Sequence, residues 1–365
     1  MIIETLSCDI CGQKEPYSIN PIHEHPELEL GGVPLNIWTP EYTFQTDQKL
    51  QIDNTKRGIK RFHQLLPIEL DEKVCSNEGN TPLIRMGEFY LKDESSNPTG
   101  SFKDRGIAAL VSEAYYHGIQ KIAIPSTGNA AISLGYYCNR VGIETVVFIP
   151  VNTPAEKVRQ IRKNSEIIID LDLIESYEHF FRFCKENKEV QNGFPANNVA
   201  YIQGLKTTAY EIFMQLGNRV PDYVLVPVGS GGNMVGLYYG FKDLKEIGVT
   251  EKMPHLISVQ IIGGDPITVG YETNQHKKLV VLKGLPNSKA EAIISDTCFN
   301  YFKILKILNE TKGQAISVSD DDIDKIGSQD NLEYSSRAVF PVFNQLQKKL
   351  SPLGCVVLLG TGSNK

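Results

Sequence analysis

The sequence lacks the features that define membrane, disulfide-rich and nucleic-acid-binding proteins. No apolar run approaches the ~18 consecutive residues that a membrane-spanning helix needs. Lysine and arginine total 37 against 43 aspartate and glutamate residues, so no basic excess predicts a nucleic-acid or anionic-membrane partner. The seven cysteines are odd in number and widely spread, which argues against a disulfide framework. Because the first ten residues do not have a signal peptide's basic and apolar stretches, we expect a cytoplasmic protein.

After about residue 80, short apolar runs alternate with amphipathic stretches. Predicted strands cover residues 121–125, 144–150, 166–171, 222–228, 256–262 and 355–359; predicted helices cover 129–140, 154–164, 173–187, 207–216 and 233–247. Such alternation predicts an α/β fold with parallel-rich sheets covered by helices. The first 75 residues are the least regular part, because several prolines interrupt them. At roughly 150 residues per domain, the length predicts two domains.

The first motif whose residues could take part in catalysis is N-P-T-G-S-F-K-D-R-G at residues 97–106. Ser101 and Asp104 have the spacing of a capping box, so we expect a helix to begin here with Lys103 in its first turn. The positive end of a helix dipole disfavours an ammonium ion and favours the neutral amine that Schiff-base chemistry requires. A solvated surface lysine is the alternative interpretation.

Two further motifs lie between a predicted strand and a predicted helix. Residues 125–131 (P-S-T-G-N-A-A) place two hydroxyls and backbone amides at a helix N-terminus, where carboxylates and phosphates bind. Simple helix capping is the alternative there. Residues 228–233 (V-G-S-G-G-N) contain three glycines, which let the backbone wrap closely around an anion. This loop matches neither a Walker loop nor G-x-G-x-x-G. A fourth loop, G-T-G-S at 360–363, follows the last predicted strand.

Together these motifs resemble the tryptophan-synthase-like (fold type II) pyridoxal-phosphate enzymes, and among them the threonine synthases most closely. The likeness covers roughly residues 65–363 and keeps the family's order, from N-T-P-L at 80–83 to G-S-G-G-N at 229–233. It implies a two-domain tryptophan synthase β-like fold. Residues 76–106 and 191–365 would form a large cofactor-binding domain, and residues 107–190 a small mobile domain. Residues 1–75 would form an N-terminal extension, and the family suggests a homodimer.

The resemblance also implies the role of each matching residue. Lys103 would hold pyridoxal 5′-phosphate as a Schiff base and then move protons, and Asn129 would bond the pyridine 3-oxygen. The loop around the cofactor phosphate would be formed by Gly229, Ser230, Gly231, Gly232 and Asn233. Ser126 and Thr127 would bind the carboxylate of a small amino-acid substrate. Thr361 would face the pyridine nitrogen; a hydroxyl there need not keep that nitrogen protonated, which suits elimination and replacement at Cβ or Cγ.

The implied activity is that of a lyase in threonine biosynthesis, which converts O-phosphohomoserine and water into threonine and phosphate by γ-elimination and β-addition. Two positions depart from the family: Tyr334 replaces a proline, and Tyr201 bears on the substrate. Tyr201 stands where threonine synthases carry the arginine that we take to bind the substrate phosphate, and a phenol cannot replace a bidentate guanidinium. Lys206, Arg159 and Arg162 are candidate cations that could compensate, with Lys206 and Tyr201 as candidate substrate contacts. Because charged residues on helices usually face water, we expect these three cations mainly on solvated helix faces. A serine/threonine dehydratase or a β-replacement synthase therefore stays open, and a non-catalytic cofactor-binding protein is the third interpretation.

Two other segments carry weaker signals. Cys8-x-x-Cys11 is followed by His23-x-His25, and these four residues could form a Cys₂His₂ zinc site. A second cysteine pair is missing and His-x-His is tighter than the usual spacing, so we favour a metal-free knuckle or an ordinary turn. Residues 331–336 (N-L-E-Y-S-S) resemble the family's E-P-S-S-A helix start, either as a capped helix or as a substrate contact.

Overall fold

The computed structural model describes residues 2–19, 38–45, 49–170, 172–196, 198–327, 331–350 and 354–363. The chain divides into two compact units, the first comprising Met1–Gly79 and Lys103–Gly204, the second Asn80–Phe102 and Leu205–Lys365. The N-terminal residues thus share a unit with residues 103–204. The domain boundaries expected at residues 76, 107 and 191 stay a prediction.

The elements follow in chain order. The strands are β1 (Thr5–Cys8), β2 (Lys14–Pro16), β3 (Trp38–Glu41), β4 (Leu83–Met86), β5 (Phe89–Asp93), β6 (Lys121–Pro125), β7 (Glu144–Pro150), β8 (Glu166–Asp170), β9 (Val190–Asn192), β10 (Tyr223–Pro227), β11 (His255–Ile261), β12 (Gln314–Val318) and β13 (Val356–Gly360). The α-helices are α1 (Lys103–Tyr116), α2 (Asn129–Asn139), α3 (Ala155–Arg162), α4 (Leu173–Glu186), α5 (Val199–Gln215), α6 (Gly232–Glu246), α7 (Pro266–Glu272), α8 (Tyr301–Glu310), α9 (Asp320–Asp324), α10 (Tyr334–Arg337) and α11 (Val339–Leu350). Short 3₁₀ helices cover Gly58–Leu65, Glu94–Ser96 and Glu291–Ile293.

The first unit contains two sheets. Strands β6 to β9 form a parallel sheet in the order β8-β7-β6-β9. Its central strands are continuous apolar runs, as expected for a parallel sheet covered on both faces. Phe148 of β7 packs against Phe180 and Phe183 of α4, which fixes that helix on the sheet. Strands β1 to β3 form a separate antiparallel sheet that the sequence did not predict.

The second unit is built on one sheet of six strands in the order β12-β11-β10-β13-β5-β4. All neighbouring pairs are parallel except the edge pair of β4 and β5. Its core joins apolar residues of the central strands, such as Leu225 and Ile257, to Val339 and Phe343 of α11. The α/β prediction is therefore confirmed.

The predicted elements agree closely with the observed ones. The strands at 121–125 and 144–150 have the predicted bounds. The helix expected from residue 207 begins earlier, at Val199. No helix in the described parts of the chain is long and apolar enough to cross a membrane.

Candidate active site

Three of the predicted loops lie at one edge of the six-stranded sheet. Strands β5, β13 and β10 are parallel neighbours, so their carboxyl ends meet at the same edge. Residues 97–102 follow β5 and its short 3₁₀ helix, residues 361–363 follow β13, and residues 228–231 follow β10. Ligands of open α/β sheets bind outside these carboxyl ends. The second unit therefore presents a loop cluster suited to binding.

The segment that leads to Lys103 is fixed to the loop after β13. The Phe102 amide donates to the Thr361 carbonyl oxygen at 3.0 Å, and the Ser363 amide donates to the Gly100 carbonyl oxygen at 2.9 Å. Lys103 is the next residue and begins α1, which confirms the predicted helix start. The predicted capping box is wrong. Ser101 Oγ is buried without a hydrogen-bond partner among the described residues, and Asp104 accepts from Ser133 Oγ at 2.5 Å.

The glycine loop leaves no room for a side chain at Gly229 or Gly231. Gly231, the N-cap of α6, has φ +87°, a conformation that favours glycine. A Cβ at Gly229 would lie 2.3 Å from the Ala292 carbonyl oxygen. Asn300 Nδ2 donates a hydrogen bond to the Ser230 carbonyl oxygen at 2.7 Å, and this bond helps to fix the backbone of the loop. No sequence signal pointed to Asn300, because this residue lies far from the loop in the chain and belongs to no recognisable motif.

Asn233, in the first turn of α6, indicates what the loop binds. It is buried, and neither Oδ1 nor Nδ2 has a hydrogen-bond partner within the described residues. A buried polar group without a partner is costly, and a bound ligand would satisfy it. The N-terminus of this 15-residue helix attracts anions through its amides and dipole. The loop therefore fits a phosphate group.

Thr361 lies within a group of hydroxyls and one carboxylate. Its Oγ1 is 2.8 Å from Ser336 Oγ and 3.2 Å from Glu333 Oε1. Glu333 stands at the N-cap of α10, but its side chain makes no capping bond. The segment 331–336 is therefore more than a capped helix start, because it surrounds the hydroxyl predicted to face the pyridine ring.

The loop between β6 and α2 belongs to the first unit. Ser126 Oγ accepts from the Gly128 amide at 3.4 Å, and Asn129 is the first residue of α2. Residues 126–129 are all half-buried. A Cβ at Gly128 would meet no heavy atom of the described chain within 4 Å, so space remains beside the loop. The predicted strand–loop–helix arrangement is confirmed, while the roles of Ser126, Thr127 and Asn129 stay predictions.

The side chain of Tyr201, on α5, packs against α1. A Cβ at Gly106 of α1 would lie 2.4 Å from the Tyr201 ring, so the ring occupies the space that this glycine leaves. Tyr201 is 1% exposed, and its hydroxyl has no hydrogen-bond partner in the part of the chain that the structure describes. Burial, assisted by the nearby Asp104, raises the pKa of this phenol.

The three candidate cations have different environments. Lys206 Nζ lies 2.5 Å from Asp243 Oδ2, and the Lys206 side chain has no exposed surface. The expectation of a solvated helix face is therefore wrong for Lys206, because Asp243 compensates its charge inside the protein. Burial lowers the pKa of Lys206, against the opposing effect of Asp243. Its assignment as a substrate contact stays a prediction, but this ion pair argues against it. Arg159 and Arg162 are exposed on α3, where Arg159 pairs with Glu156 at 3.1 Å.

The cysteine pair forms a turn at the end of β1. The Ile10 amide donates to Cys8 Sγ at 3.4 Å, and the Gly12 amide donates to the Cys8 carbonyl oxygen at 2.9 Å. His23 and His25 lie outside the described residues. Within the described ranges no group of three or more potential metal ligands occurs. The choice between the favoured metal-free knuckle or turn and a Cys₂His₂ zinc site therefore stays untested.

Fold and loops together define an α/β enzyme that binds a phosphorylated cofactor. The chain belongs to the family of pyridoxal-phosphate dependent enzymes, whose sequence profile matches residues 74–326. It is 32% identical over 279 residues to a threonine synthase of Methanosarcina acetivorans, with 73% of this chain and 67% of that protein aligned. It is 31% identical over 287 residues to the threonine synthase of Methanocaldococcus jannaschii, with 73% and 68% aligned.

Solved structures share the fold. Threonine deaminase isoform 2 from Solanum lycopersicum superimposes with a TM-score of 0.67 at 19% identity, covering 87% of this chain and 94% of that one. A fungal L-serine ammonia-lyase from Rhizomucor miehei gives 0.65 at 23% identity, covering 78% and 94%. The fold type II prediction is thus confirmed, and the chain is a pyridoxal-phosphate-dependent lyase. The glycine loop and the unpartnered Asn233 amide fit the phosphate of that cofactor.

Proposed function

We propose that this lyase is a threonine synthase, which converts O-phosphohomoserine and water into threonine and phosphate. The observation that carries the proposal is the 31–32% identity to threonine synthases over 73% of the chain. The structural neighbours, at 19–23% identity, support the fold alone. The predicted homodimer and cytoplasmic location stay predictions.

Each proposed role belongs to a residue whose local setting suits it. Lys103 Nζ would bond the cofactor's aldehyde carbon and later remove the substrate's Cα proton. When bound, pyridoxal phosphate stabilises the negative charge that this leaves at Cα. Lys103 would then move protons at Cβ and Cγ, so that phosphate leaves from Cγ, water adds at Cβ and Cγ becomes a methyl group.

The remaining site residues would bind and orient the substrate and the cofactor. The hydroxyls of Ser126 and Thr127, at the N-terminus of α2, would receive the substrate carboxylate. The loop of Gly229, Ser230, Gly231 and Gly232, together with Asn233, would hold the cofactor phosphate. Asn129 and Thr361 would hold the ring through its 3-oxygen and its nitrogen.

A second candidate function rests on Tyr201. A buried hydroxyl without a partner can donate one hydrogen bond, whereas a phosphate dianion is bound best by a bidentate guanidinium. A small, unphosphorylated hydroxy amino acid needs no such cation. This observation favours a serine/threonine dehydratase, which releases ammonia and a 2-oxo acid.

The two candidates differ in their products. The purified holoenzyme is incubated with O-phosphohomoserine while inorganic phosphate and threonine are quantified together. In a parallel reaction it receives L-serine or L-threonine, and ammonia and 2-oxo acid are quantified. Equal amounts of phosphate and threonine support threonine synthase. Oxo acid without phosphate release supports the dehydratase, and no product from either substrate supports a binding protein without turnover.

Two variants control for the role of the lysine. Lys103→Ala is expected to abolish turnover, the yellow colour of the bound cofactor and its retention after borohydride reduction. Lys163→Ala removes an exposed lysine and is expected to change none of these. A Lys103→Ala protein that kept colour and turnover would contradict the assignment.

A further inference from the structure

A cavity of about 240 Å³ lies in the first unit, and none of its lining residues belongs to the loops of the candidate active site. The described residues that line it are Thr55, Lys56, Arg57, Lys60, Glu72 and Cys75. These walls carry three cations and one carboxylate, whereas the whole chain has 43 acidic against 37 basic side chains. The cavity is therefore a local concentration of positive charge in an acidic protein.

The single carboxylate of the cavity does not satisfy its three cations. Glu72 Oε1 accepts a hydrogen bond from Lys56 Nζ at 2.5 Å, and it lies 3.9 Å from Lys60 Nζ, which is too far for a hydrogen bond. The side chain of Lys60 is only 20% exposed, and its ammonium donates no hydrogen bond to any described residue. Arg57 forms no ion pair within the same ranges of the chain. Two positive charges, those of Arg57 and Lys60, are thus left for an anion in the cavity to compensate.

The walls of the cavity are fixed by the buried side chain of Glu78. Its Oε1 accepts a hydrogen bond from the Ile59 amide at 3.1 Å, and its Oε2 accepts one from the Ser76 amide at 2.7 Å. These two amides belong to the two segments that line the cavity, or directly adjoin them. Gly58 has φ +57°, and a Cβ there would collide with the Glu78 carboxylate, so the turn between the lining cations requires a glycine. The protein therefore holds the cations together before any ligand binds.

We propose that this cavity binds the phosphate group of a small molecule, at a site built from residues other than the catalytic ones. The guanidinium of Arg57 presents the planar fork that suits phosphate oxygens, and the ammonium of Lys60 adds a point charge. A phosphate dianion matches the two uncompensated charges, whereas a carboxylate would leave one of them. The cavity, at about 240 Å³, is smaller than the roughly 300–1,000 Å³ of pockets for drug-sized ligands, so the bound molecule is small.

Calorimetric titration of the holoenzyme at low ionic strength tests the proposal, with inorganic phosphate and glycerol phosphate as separate probes. Arg57→Gln and Lys60→Gln are each expected to weaken binding at least about tenfold, because each removes a cation that faces the anion. Glu72→Gln removes the competing carboxylate and is expected to tighten binding about threefold or more. Arg182→Gln and Lys163→Gln remove exposed cations of the same unit and are expected to leave the Kd unchanged.

The gain expected for Glu72→Gln distinguishes a binding site from general damage to the fold, because a misfolded variant does not bind more tightly. Binding of inorganic phosphate alone would identify the free ion as the ligand, and binding of both probes would identify a phosphate ester; either result supports the site. Acetate that bound as tightly as phosphate would contradict the charge match. The proposal is overturned if the wild-type protein binds neither probe at about 10 mM.

The same titrations separate this site from the catalytic one. If Arg57→Gln and Lys60→Gln bind phosphate as tightly as the wild-type protein, the ion occupies another site and the proposal is wrong. The inference does not rest on the proposed function, because threonine formation is no part of the measurement. A holoenzyme that forms no threonine but shows the expected changes in Kd would therefore contradict the proposed function and support the cavity as a phosphate site.

Discussion

The ammonium of Lys206 lies 2.5 Å from Oδ2 of Asp243, and the two side chains are 0% and 2% exposed. Tyr210 also donates its hydroxyl hydrogen to the same carboxylate oxygen, so α5 and α6 are joined by a buried polar cluster. Removing one partner of such a pair leaves the other charge buried and unpaired.

We expect Lys206→Met to lower the free energy of unfolding by about 3–5 kcal/mol, because Asp243 would lose its counter-charge. Urea denaturation measures this change. The double variant Lys206→Met/Asp243→Leu should recover part of it, since no isolated charge remains. Lys242→Met is the matched control on α6, where an exposed pair at 3.6 Å should contribute at most about 1 kcal/mol. Native stability with a raised KM would instead show that Lys206 binds substrate.

The packing of Tyr201 against Gly106 gives a second prediction. A Cβ added at Gly106 would lie 2.4 Å from the ring, so Gly106→Ala should destabilise the protein by about 1–3 kcal/mol through overpacking. In a Tyr201→Leu background the same change should cost less, and thermal denaturation of the four proteins measures this coupling. Equal costs in both backgrounds would contradict the contact.

The hydroxyl of Tyr201 can be tested separately. Tyr201→Phe deletes a buried group that has no hydrogen-bond partner among the described residues, so stability should stay the same or rise. A loss of kcat or a rise in KM without a loss of stability would show that the phenol contacts the substrate. Steady-state kinetics and a melting curve on the same preparation distinguish the two results.

Glu113 predicts a pH dependence of stability. The Tyr17 hydroxyl donates to its Oε1, its Oε2 has no hydrogen-bond partner within the described ranges, and burial raises its pKa from 4.5 to about 7. The folded state thus binds this proton more tightly than the unfolded chain does. The protonated Glu113 carboxyl therefore contributes its full stabilisation below pH 4.5. This contribution to the free energy of unfolding, about 3 kcal/mol, is lost as the pH rises through about 7.

The variant Glu113→Gln should flatten this part of the pH profile. The midpoint of urea unfolding, measured at intervals between pH 5 and 8, gives the slope for each protein. Glu156→Gln changes an exposed carboxylate and should leave the slope as in the wild type. If the unfolding midpoint of Glu113→Gln still depends on pH as in the wild type, another titratable group causes that dependence.

The unpartnered amide of Asn233 predicts how tightly the cofactor binds. Asn233→Asp places a negative charge beside the proposed phosphate site and should weaken pyridoxal-phosphate binding at least tenfold, or about 1.4 kcal/mol. Titration of the apoprotein with the cofactor, followed by absorbance, measures the Kd. Asn309→Asp adds the same charge at an exposed position on α8 and should leave the Kd unchanged. Equal Kd values for both variants would place the phosphate elsewhere.

Local patterns predicted the elements well where one signal dominated. The run E-T-V-V-F-I-P at β7 is short, apolar and rich in β-branched residues, which favours a buried strand over a helix. The loops after β10 and β13 were found for the same reason, because glycines follow buried strands. The antiparallel sheet of β1 to β3 was missed, since β3 pairs with β1 across a long stretch of chain and no local pattern records that pairing.

The orientation of α5 could not be predicted. Nearly every residue from Val199 to Phe213 is buried, so hydrophobic periodicity does not distinguish one face from another. Nothing in the local pattern indicated that Lys206 would be buried rather than solvated. The relation between Glu333 and Thr361 was hidden for a different reason, because the two residues belong to different segments of the chain.

The strand order of the second unit constrains how the protein can be synthesised. Strand β13 lies between β10 and β5, and among the described strands it alone joins the β12-β11-β10 half of the sheet to the β5-β4 half. Until residues 356–360 have left the ribosome, the two halves can form only as separate pieces with unpaired edges. The loop that leads to Lys103 is anchored to the Thr361 carbonyl oxygen through Phe102, so this loop too must wait for that strand. A nascent chain that stalls before β13 therefore keeps the facing edges of β10 and β5 unpaired.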